Sequence, residues 1–383
     1  MANHQNKFNC FIIGEGTLPI QCAEILINQG HVIYGIISAD ASIINWAEGK
    51  NIPYIKPTDH LGEFLSQQPF DYLFSIVNRY VLPQEILELP RQFAINYHDA
   101  PLPRYAGVNA TSWALMNQEK THGVTWHIMA AMVDAGDILK QVIIDIADDE
   151  TALTLNGKCY EAAINAFAQI VDELSSGTFV ATKVNLNERT YFSRFKRLRA
   201  GGIISWKRCA YELDALIRAL DFGSYPNPLG RTKLAIDSNL FIVSKLEVQG
   251  NLSNYPPGTI TNIEPTYITV STASYDIALR QVLAINSQAL SISYLVEKFG
   301  LQVGYQFCDL EPNQVKQIEK FDQSIVKHEA FWVERLGTLE SITVPEAKQT
   351  ASLHLKEPQY ARARMFVPDE AITLWLQRHP QWH

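Results

Sequence analysis

Cysteine is scarce in this sequence: five residues in 383, at positions 10, 22, 159, 209 and 308, an odd number with no Cys-x-x-Cys pair. That pattern excludes a disulfide framework and a structural zinc site and leaves the cysteines as packing residues. Long apolar runs are missing as well. None reaches the roughly 18 residues of a membrane span, and the opening MANHQNKFNC has neither the basic region nor the apolar stretch of a secretory signal. A cytoplasmic protein without membrane contact is expected. Positive charge is in deficit: 32 Lys and Arg against 40 Asp and Glu give a formal charge of -8. Nucleic acid bound in bulk calls for a dense basic surface, so that class is disfavoured, although a local basic patch can sit inside an acidic total. With 20 Gly, 18 Pro and 19% charged residues, nothing points to disorder, collagen or coiled coil. What remains is an ordinary globular composition, 47% hydrophobic, over a length that favours two or three domains.

Residues 8–13 form an apolar run that ends at Gly14-Glu15-Gly16, 18–28 has helical spacing, and 31–38 is apolar again. This reads as strand, turn, helix, strand. Further apolar runs at 52–55, 71–77 and 93–97 alternate with helical candidates at 42–49, 60–67 and 83–89. Strands separated by helices predict a mostly parallel sheet covered on both faces, an α/β architecture. A helix over 110–117, strands over 123–129 and 138–146 and a helix over 151–174 complete a first domain, 1–187. The basic stretch 188–208 reads as an interdomain connector. A helix over 211–220 and short β runs at 233–236, 240–246, 259–263, 267–271 and 277–283 then predict a small barrel within 209–310. Residues 311–383 read as a helical linker or tail, with Pro312 in the first helical turn and apolar positions Val315, Ile318, Phe321, Ile325, Phe331 and Leu336.

Two polar constellations stand out. In Asn96-Tyr97-His98, closing the fifth strand, period-two geometry puts Asn96 and His98 on one side and Tyr97 on the other. A strand's carboxyl end is where open α/β sheets bind ligands. Val133-Asp134-Ala-Gly136-Asp137 is a turn between two apolar runs. Alone, the first is a satisfied core pair and the second a tight turn. Together they offer an amide, an imidazole and a carboxylate, the groups needed when an amine attacks a carbonyl: the carboxylate orients the imidazole, the imidazole manages the proton, and the amide steadies the oxyanion.

Asn96-x-His98, Leu102-Pro103-x-Tyr105-x-Gly107, Gly123-Val124-Thr125-x-His127 and Val133-Asp134-x-Gly136-x-Ile138-Leu139 resemble the signature of the formyltransferases that use 10-formyltetrahydrofolate. The likeness covers about 8–175. The second domain resembles the C-terminal barrel of methionyl-tRNA formyltransferase through Ile217-Arg218-Ala219 and Pro226-Asn-Pro228. The resemblance implies a Rossmann-like catalytic domain with a mostly parallel sheet, an OB-like barrel after it, and catalytic roles for Asn96, His98 and Asp134. It also implies that main-chain groups of Asn78, Arg79, Tyr80, Val81 and Leu82, and of Ala131, Met132 and Val133, hold the pterin ring of the formyl donor. This chain has Ala100-Pro101-Leu102-Pro103 where the family often has Ser-Leu-Leu-Pro, which leaves the acceptor side less defined.

Gly14-Glu15-Gly16 lacks the third glycine of a dinucleotide fingerprint, with Pro19 in its place, so a sharp turn is expected there rather than a nicotinamide cofactor, with Asp40 the would-be ribose acid. His122 and His127 have no zinc-helix spacing; His127 reads as a packed residue, and no metal is expected. The basic run 189–208 reads as a solvated connector or as a phosphate-facing patch. Arg104, Tyr105, Arg194 and Arg197 are the candidate contacts to the acceptor or its carrier. Downstream, His328-Glu-Ala-Phe-Trp332-Val-Glu-Arg-Leu336 and 339–345 read either as an amphipathic helix packed against the barrel or, by resemblance, as the segment leading into the adenylation domain of nonribosomal peptide synthetases. That likeness implies a formylation domain at the start of such a synthetase, with adenylation and peptidyl carrier domains as partners and an aminoacyl-phosphopantetheine as acceptor. The alternatives are a methionyl-tRNA or amino-sugar formyltransferase, a hydrolase of the donor, and, from another class, a noncatalytic folate-binding or docking module.

Overall fold

The computed structural model describes residues 6–337 other than 58, 59 and 226. The chain begins with strands and helices in alternation: β1 (Asn9–Gly14), α1 (Leu18–Asn28), β2 (Val32–Ile37), α2 (Ala41–Gly49), β3 (Tyr54–Ile55), α3 (Leu61–Leu65), β4 (Tyr72–Ile76), α4 (Gln84–Leu87) and β5 (Phe93–His98). These strands lie parallel in the order β3-β2-β1-β4-β5. Helices on both faces explain why strands such as β4, buried at every position, are apolar without alternation. The next elements are β6 (Ala106–Gly107), α5 (Ala110–Met116), β7 (Thr121–Ile128), β8 (Ile138–Asp145) and α6 (Ala152–Ser176). β7 pairs antiparallel with β5 and β8 antiparallel with β7, giving seven strands in all.

The long helix α6 starts where Thr151 Oγ1 accepts the Thr154 N–H at 3.2 Å and stops at Gly177, whose φ of 67° suits a residue without Cβ. Leu155, Cys159, Ala163, Phe167, Ile170 and Leu174 form its buried stripe. Phe167 lies 4.8 Å from the ring of Trp126 on β7, and the Trp126 indole donates to Ala163 O at 3.2 Å. Trp126 is fully buried, and its truncation to alanine is expected to cost about 3–5 kcal/mol. This packing fixes β7 against α6 and so places the strand that lies opposite Asn96 and His98.

The second half comprises β9 (Tyr191–Phe192), α7 (Ala210–Leu220), β10 (Lys233–Ile236), β11 (Asn239–Leu252), β12 (Ile260–Glu264), β13 (Tyr267–Val270), β14 (Tyr275–Leu283), β15 (Ala289–Leu290), α8 (Ile292–Phe299), α9 (Pro312–Ile325) and α10 (Glu329–Gly337). An antiparallel sheet runs β10-β11-β14-β13-β12, with β15 on β14. Trp206, Leu213, Ile260, Leu279, Leu295 and Phe307 belong to its core. Contacts through Glu329 make one compact unit containing both sheets, and the residues from Ala330 belong to a second.

The stretch 188–208 is more than a connector. β9 pairs in parallel with β6, and Phe192 and Leu198 join Tyr105, Trp113 and Leu216 in one apolar cluster. Two of the five cysteines, Cys209 and Cys308, are exposed rather than packed, Cys209 just before α7 and Cys308 in the coil between α8 and α9. α9 starts at Pro312, but none of its residues is fully buried, and Phe321 and Ile325 are exposed. Residues 339–345 and Pro226, used in the sequence resemblances, lie outside the described residues.

Candidate active site

β5 sets the first two groups. Ser75 and Asn96 are partners across β4 and β5, and Ser75 Oγ donates to Asn96 Oδ1 at 2.7 Å. That contact leaves the amide nitrogen facing the other way. Asn96 Nδ2 donates to Tyr97 O at 2.9 Å and lies 3.2 Å from His127 Nε2, its partner across β7. Both N–H groups are therefore engaged, so Asn96 serves an oxyanion only by giving up one of them. His98, 5% exposed, places Nε2 2.9 Å from Tyr105 O. A carbonyl only accepts, so Nε2 carries the proton there. His98 Nδ1 then faces two carboxylates, Asp134 Oδ2 at 3.8 Å and Asp99 Oδ1 at 3.9 Å.

Asp134 sits in the turn between β7 and β8, 8% exposed, with a left-handed φ of 51°. The turn depends on Gly136, where a Cβ would stand 1.8 Å from Ile128 O. Asp134 Oδ2 accepts the Gly107 N–H at 2.8 Å, and Oδ1 lies 3.6 Å from His127 Nε2. Burial pushes the Asp134 carboxyl up. The positive charge of His98, the hydrogen bond and charge of His127, and the Gly107 N–H outweigh it and hold the carboxyl well below the usual carboxylate range.

His127 thus belongs to the site, which its reading as a packed residue did not assign. Its Nδ1 meets Ile128 O at 2.9 Å and carries a proton there. Nε2 is left with two states: unprotonated it accepts from Asn96, and protonated it donates toward Asp134. The signal was present in the sequence, since period-two geometry along β7 places His127 beside Thr125, whose Oγ1 receives the Leu102 N–H at 3.2 Å and donates to Ala100 O at 2.7 Å. What the strand faced was not readable.

The remaining candidates divide. Tyr80 and Val81 are 47% and 76% exposed, and Met132 and Val133 are 55% and 37% exposed. Asn78 ties its loop, accepting the Tyr80 N–H at 3.0 Å and donating to Tyr80 O at 3.0 Å and Ser75 Oγ at 3.3 Å. Arg79 pairs with Glu15 at 3.0 Å, and Ala131 is exposed. The Leu82 side chain is instead core, packed in the cluster of Phe11, Phe70 and Leu73, which leaves only its main chain for a ligand.

The Arg104 and Tyr105 side chains share one partner, Glu119, Arg104 as an ion pair and Tyr105 through its hydroxyl at 2.7 Å, and Tyr105, only 3% exposed, packs with Trp113, Phe192 and Leu198. Tyr105 enters the site through its carbonyl. Arg194 is exposed with its guanidinium 5.3 Å from the Phe195 ring, and Arg197 pairs with Glu329 beside a cavity of about 350 Å³ that also takes in Lys233 and Asp322. Neither joins the Asn96, His98 and Asp134 cluster. Gly14 and Gly16 serve the turn: a Cβ on Gly14 would lie 1.8 Å from Ile76 O, Gly16 has φ 76°, and Asp40 accepts the Gly16 N–H at 2.9 Å. Among the described residues there is no group of three metal-ligating side chains, and no helix is long and apolar enough to cross a membrane.

Comparison with known proteins places this arrangement. The formyl transferase family model matches residues 67–171, and the model of the formyl transferase C-terminal domain matches 199–300, together more than half of the chain. Among solved structures, the N-formyltransferase from Helicobacter canadensis, in complex with folinic acid and dTDP-3-aminofucose, is 21% identical with a TM-score of 0.59, covering 72% of this chain and 99% of that one. WlaRD, a sugar 3N-formyl transferase solved in the presence of dTDP and 5-N-formyl-THF, is 19% identical with a TM-score of 0.59, covering 72% and 98%. HypX from Aquifex aeolicus, in complex with tetrahydrofolic acid, is 14% identical with a TM-score of 0.53, covering 77% of this chain and 48% of that one. At such identities the structural likeness is one of fold. With both domains matched by the family models, the chain belongs to the formyl transferase family and is an enzyme that transfers a formyl group.

Proposed function

We propose that the chain transfers the formyl group of 10-formyltetrahydrofolate to the amino group of an aminoacyl thioester, carried on the phosphopantetheine of a peptidyl carrier domain in the cytoplasm. An adenylation domain of the same synthetase is the second partner. The observation that carries the transfer chemistry is the meeting of Asn96, His98, His127 and Asp134 from three separated segments. The exposed Tyr80, Val81, Met132 and Val133 suit the pterin. For the acceptor, support comes from His328-Glu-Ala-Phe-Trp332-Val-Glu-Arg-Leu336, from a charge of -8 that suits tRNA poorly, and from the quarter of the chain that the sugar enzymes leave uncovered.

The amine nitrogen attacks the formyl carbon, the carbonyl pair moves onto oxygen, and the resulting tetrahedral centre collapses by breaking the bond to N10 of the folate. His98 Nδ1 takes the proton the amine sheds and returns it to N10. Asp134 and Asp99 stabilise the doubly protonated ring in between. Proton management of this kind contributes about 10² to 10⁴ in rate. Asn96 turns an N–H from His127 to the oxyanion, a donor worth about 10² to 10³.

A second reading, an amino sugar on a nucleoside diphosphate as acceptor, is favoured by the folds of the sugar N-formyltransferases. Mass spectrometry of aminoacyl carrier proteins, aminoacyl-tRNAs and dTDP-amino sugars after incubation with 10-formyltetrahydrofolate separates the readings. Formylation of the aminoacyl carrier is expected. A product on the sugar or the tRNA alone overturns the carrier proposal, and free formate without any formylated acceptor marks a hydrolase.

A further inference from the structure

We propose that Arg189 and Thr190 are positioning residues that hold the partners of His98 and Asp134 in place, an inference that rests on the proposed role of those two side chains in formyl transfer. Two residues of the site occupy the left-handed region without being glycine, Tyr105 with φ 60° and Asp134 with φ 51°. Such conformations are strained and persist only where the surroundings enforce them. One short segment makes contact beside both.

Thr190 Oγ1 accepts the Tyr105 N–H at 2.7 Å, Thr190 N donates to Pro103 O at 3.3 Å, and Thr190 O accepts the Ala106 N–H at 2.9 Å. The peptide groups on either side of Tyr105 are thereby clamped, and Tyr105 O is the group that receives His98 Nε2. Arg189 Nη2 donates to Val133 O at 3.0 Å, directly before Asp134. The same segment continues as β9 along β6, with the Val108 N–H on Phe192 O at 2.9 Å. Gly107, φ 104°, permits that approach, since its Cβ would lie 2.1 Å from Phe192 O, and the Gly107 N–H is the one on Asp134 Oδ2.

Stacking of the Tyr105 and Phe192 rings, 5.4 Å apart and 2° from parallel, holds the two strands together. The segment therefore governs three groups at once: the carbonyl that fixes the His98 tautomer, the N–H that fixes the Asp134 carboxylate, and the carbonyl that fixes the turn carrying it. Neither Arg189 nor Thr190 touches the trio's side chains, so both act through main-chain neighbours. At a site where charge must meet fixed partners, small displacements of those neighbours are felt in the turnover step rather than in binding.

The test uses the full chain with Thr190→Val, Thr190→Ser and Arg189→Met, comparing steady-state kinetics and amide hydrogen exchange. Thr190→Val is expected to lower kcat about tenfold, as for a lost hydrogen bond at a positioned group, with KM for the folate donor within about twofold of wild type. Peptides covering 100–109 should exchange faster, and Thr190→Ser, which keeps the hydroxyl, should restore both readouts. Arg189→Met is expected to speed exchange over 129–137 and lower kcat, leaving 100–109 protected. Wild-type kcat and unchanged exchange in Thr190→Val overturns the proposal, as does a Thr190→Ser variant as impaired as Thr190→Val. If Thr190→Val loses protection across α6 as well, it has unfolded and Arg189→Met decides by the same criteria. Should wild type formylate no acceptor, the functional reading fails, and the exchange data alone still uphold or sink the clamp.

Discussion

The loop after β4 and the turn before β8 are held in different ways. Asn78 secures its loop largely from within, through Tyr80 and the nearby Ser75, and leaves Tyr80 and Val81 open to solvent. The turn with Asp134 is fastened from outside, by Gly107, His127 and Arg189, and its carboxylate is buried. The contrast follows from what each presents, an open apolar surface in one and a buried carboxylate in the other. A flat, largely neutral ring needs surfaces and a few main-chain groups, whereas a buried charge is stable only with partners at fixed places. A continuous line of contacts joins the two, from Asn78 through Ser75 and Asn96 to His127 and Asp134.

Substitutions on the two sides should separate kcat from KM. His98→Ala and Asp134→Asn are expected to lower kcat by about 10² to 10⁴ with the donor KM little changed; turnover near wild type in either variant removes the trio assignment. Gly136→Ala should act in the same place by another route, since its Cβ meets Ile128 O, and a loss of both kcat and thermal stability is expected. His127→Gln keeps an acceptor for Asn96 but removes the imidazole that reaches Asp134. A fall of about tenfold to a hundredfold in kcat is expected, and wild-type turnover shows that the imidazole plays no part.

On the open side, Tyr80→Ala and Met132→Ala should raise the donor KM a few-fold, about 3 to 10, while kcat stays within twofold, because only contact area is lost. A kcat effect there as large as that of Asp134→Asn would erase the distinction. The smallest effect concerns stability in mild acid. Burial, then the charge of Lys7, depresses the His31 pKa from 6.5 to about 4, where its ring stacks on Phe8 at 3.7 Å. The unfolded chain binds that proton first, so stability should decline as pH falls from 6.5 to about 4 and level off below. Asp134, with its carboxyl depressed, keeps its contribution throughout that interval and loses it only at lower pH. Melting temperatures of wild type and His31→Gln across pH 4–7 check this, and an equally steep decline in the variant refutes it.

Strands β1, β2, β4 and β5 were legible because continuous apolar runs between helices have one common solution, a covered parallel sheet. β6 and β9 were not, since two-residue strands pair through main-chain groups that leave no side-chain pattern. Period-two geometry put Asn96 and His98 on one side of their strand, and the family resemblance joined Asp134 to them. The engagement of both Asn96 N–H groups, the entry of His127 and the inward turn of Tyr105 did not follow, because each depends on a neighbour far away in the chain.

Residue order alone determined the alternation of strands and helices, the glycines that the turns need, and the identity of the amide, imidazole and carboxylate. The tertiary structure decided which ring nitrogen faces which oxygen, which carbonyl fixes a tautomer, and which acidic residues Arg79, Arg104 and Arg197 pair with. Hydrophobic periodicity is a local property and survives in one dimension. Hydrogen-bond direction and charge pairing depend on distances of a few ångströms between segments that only folding brings together.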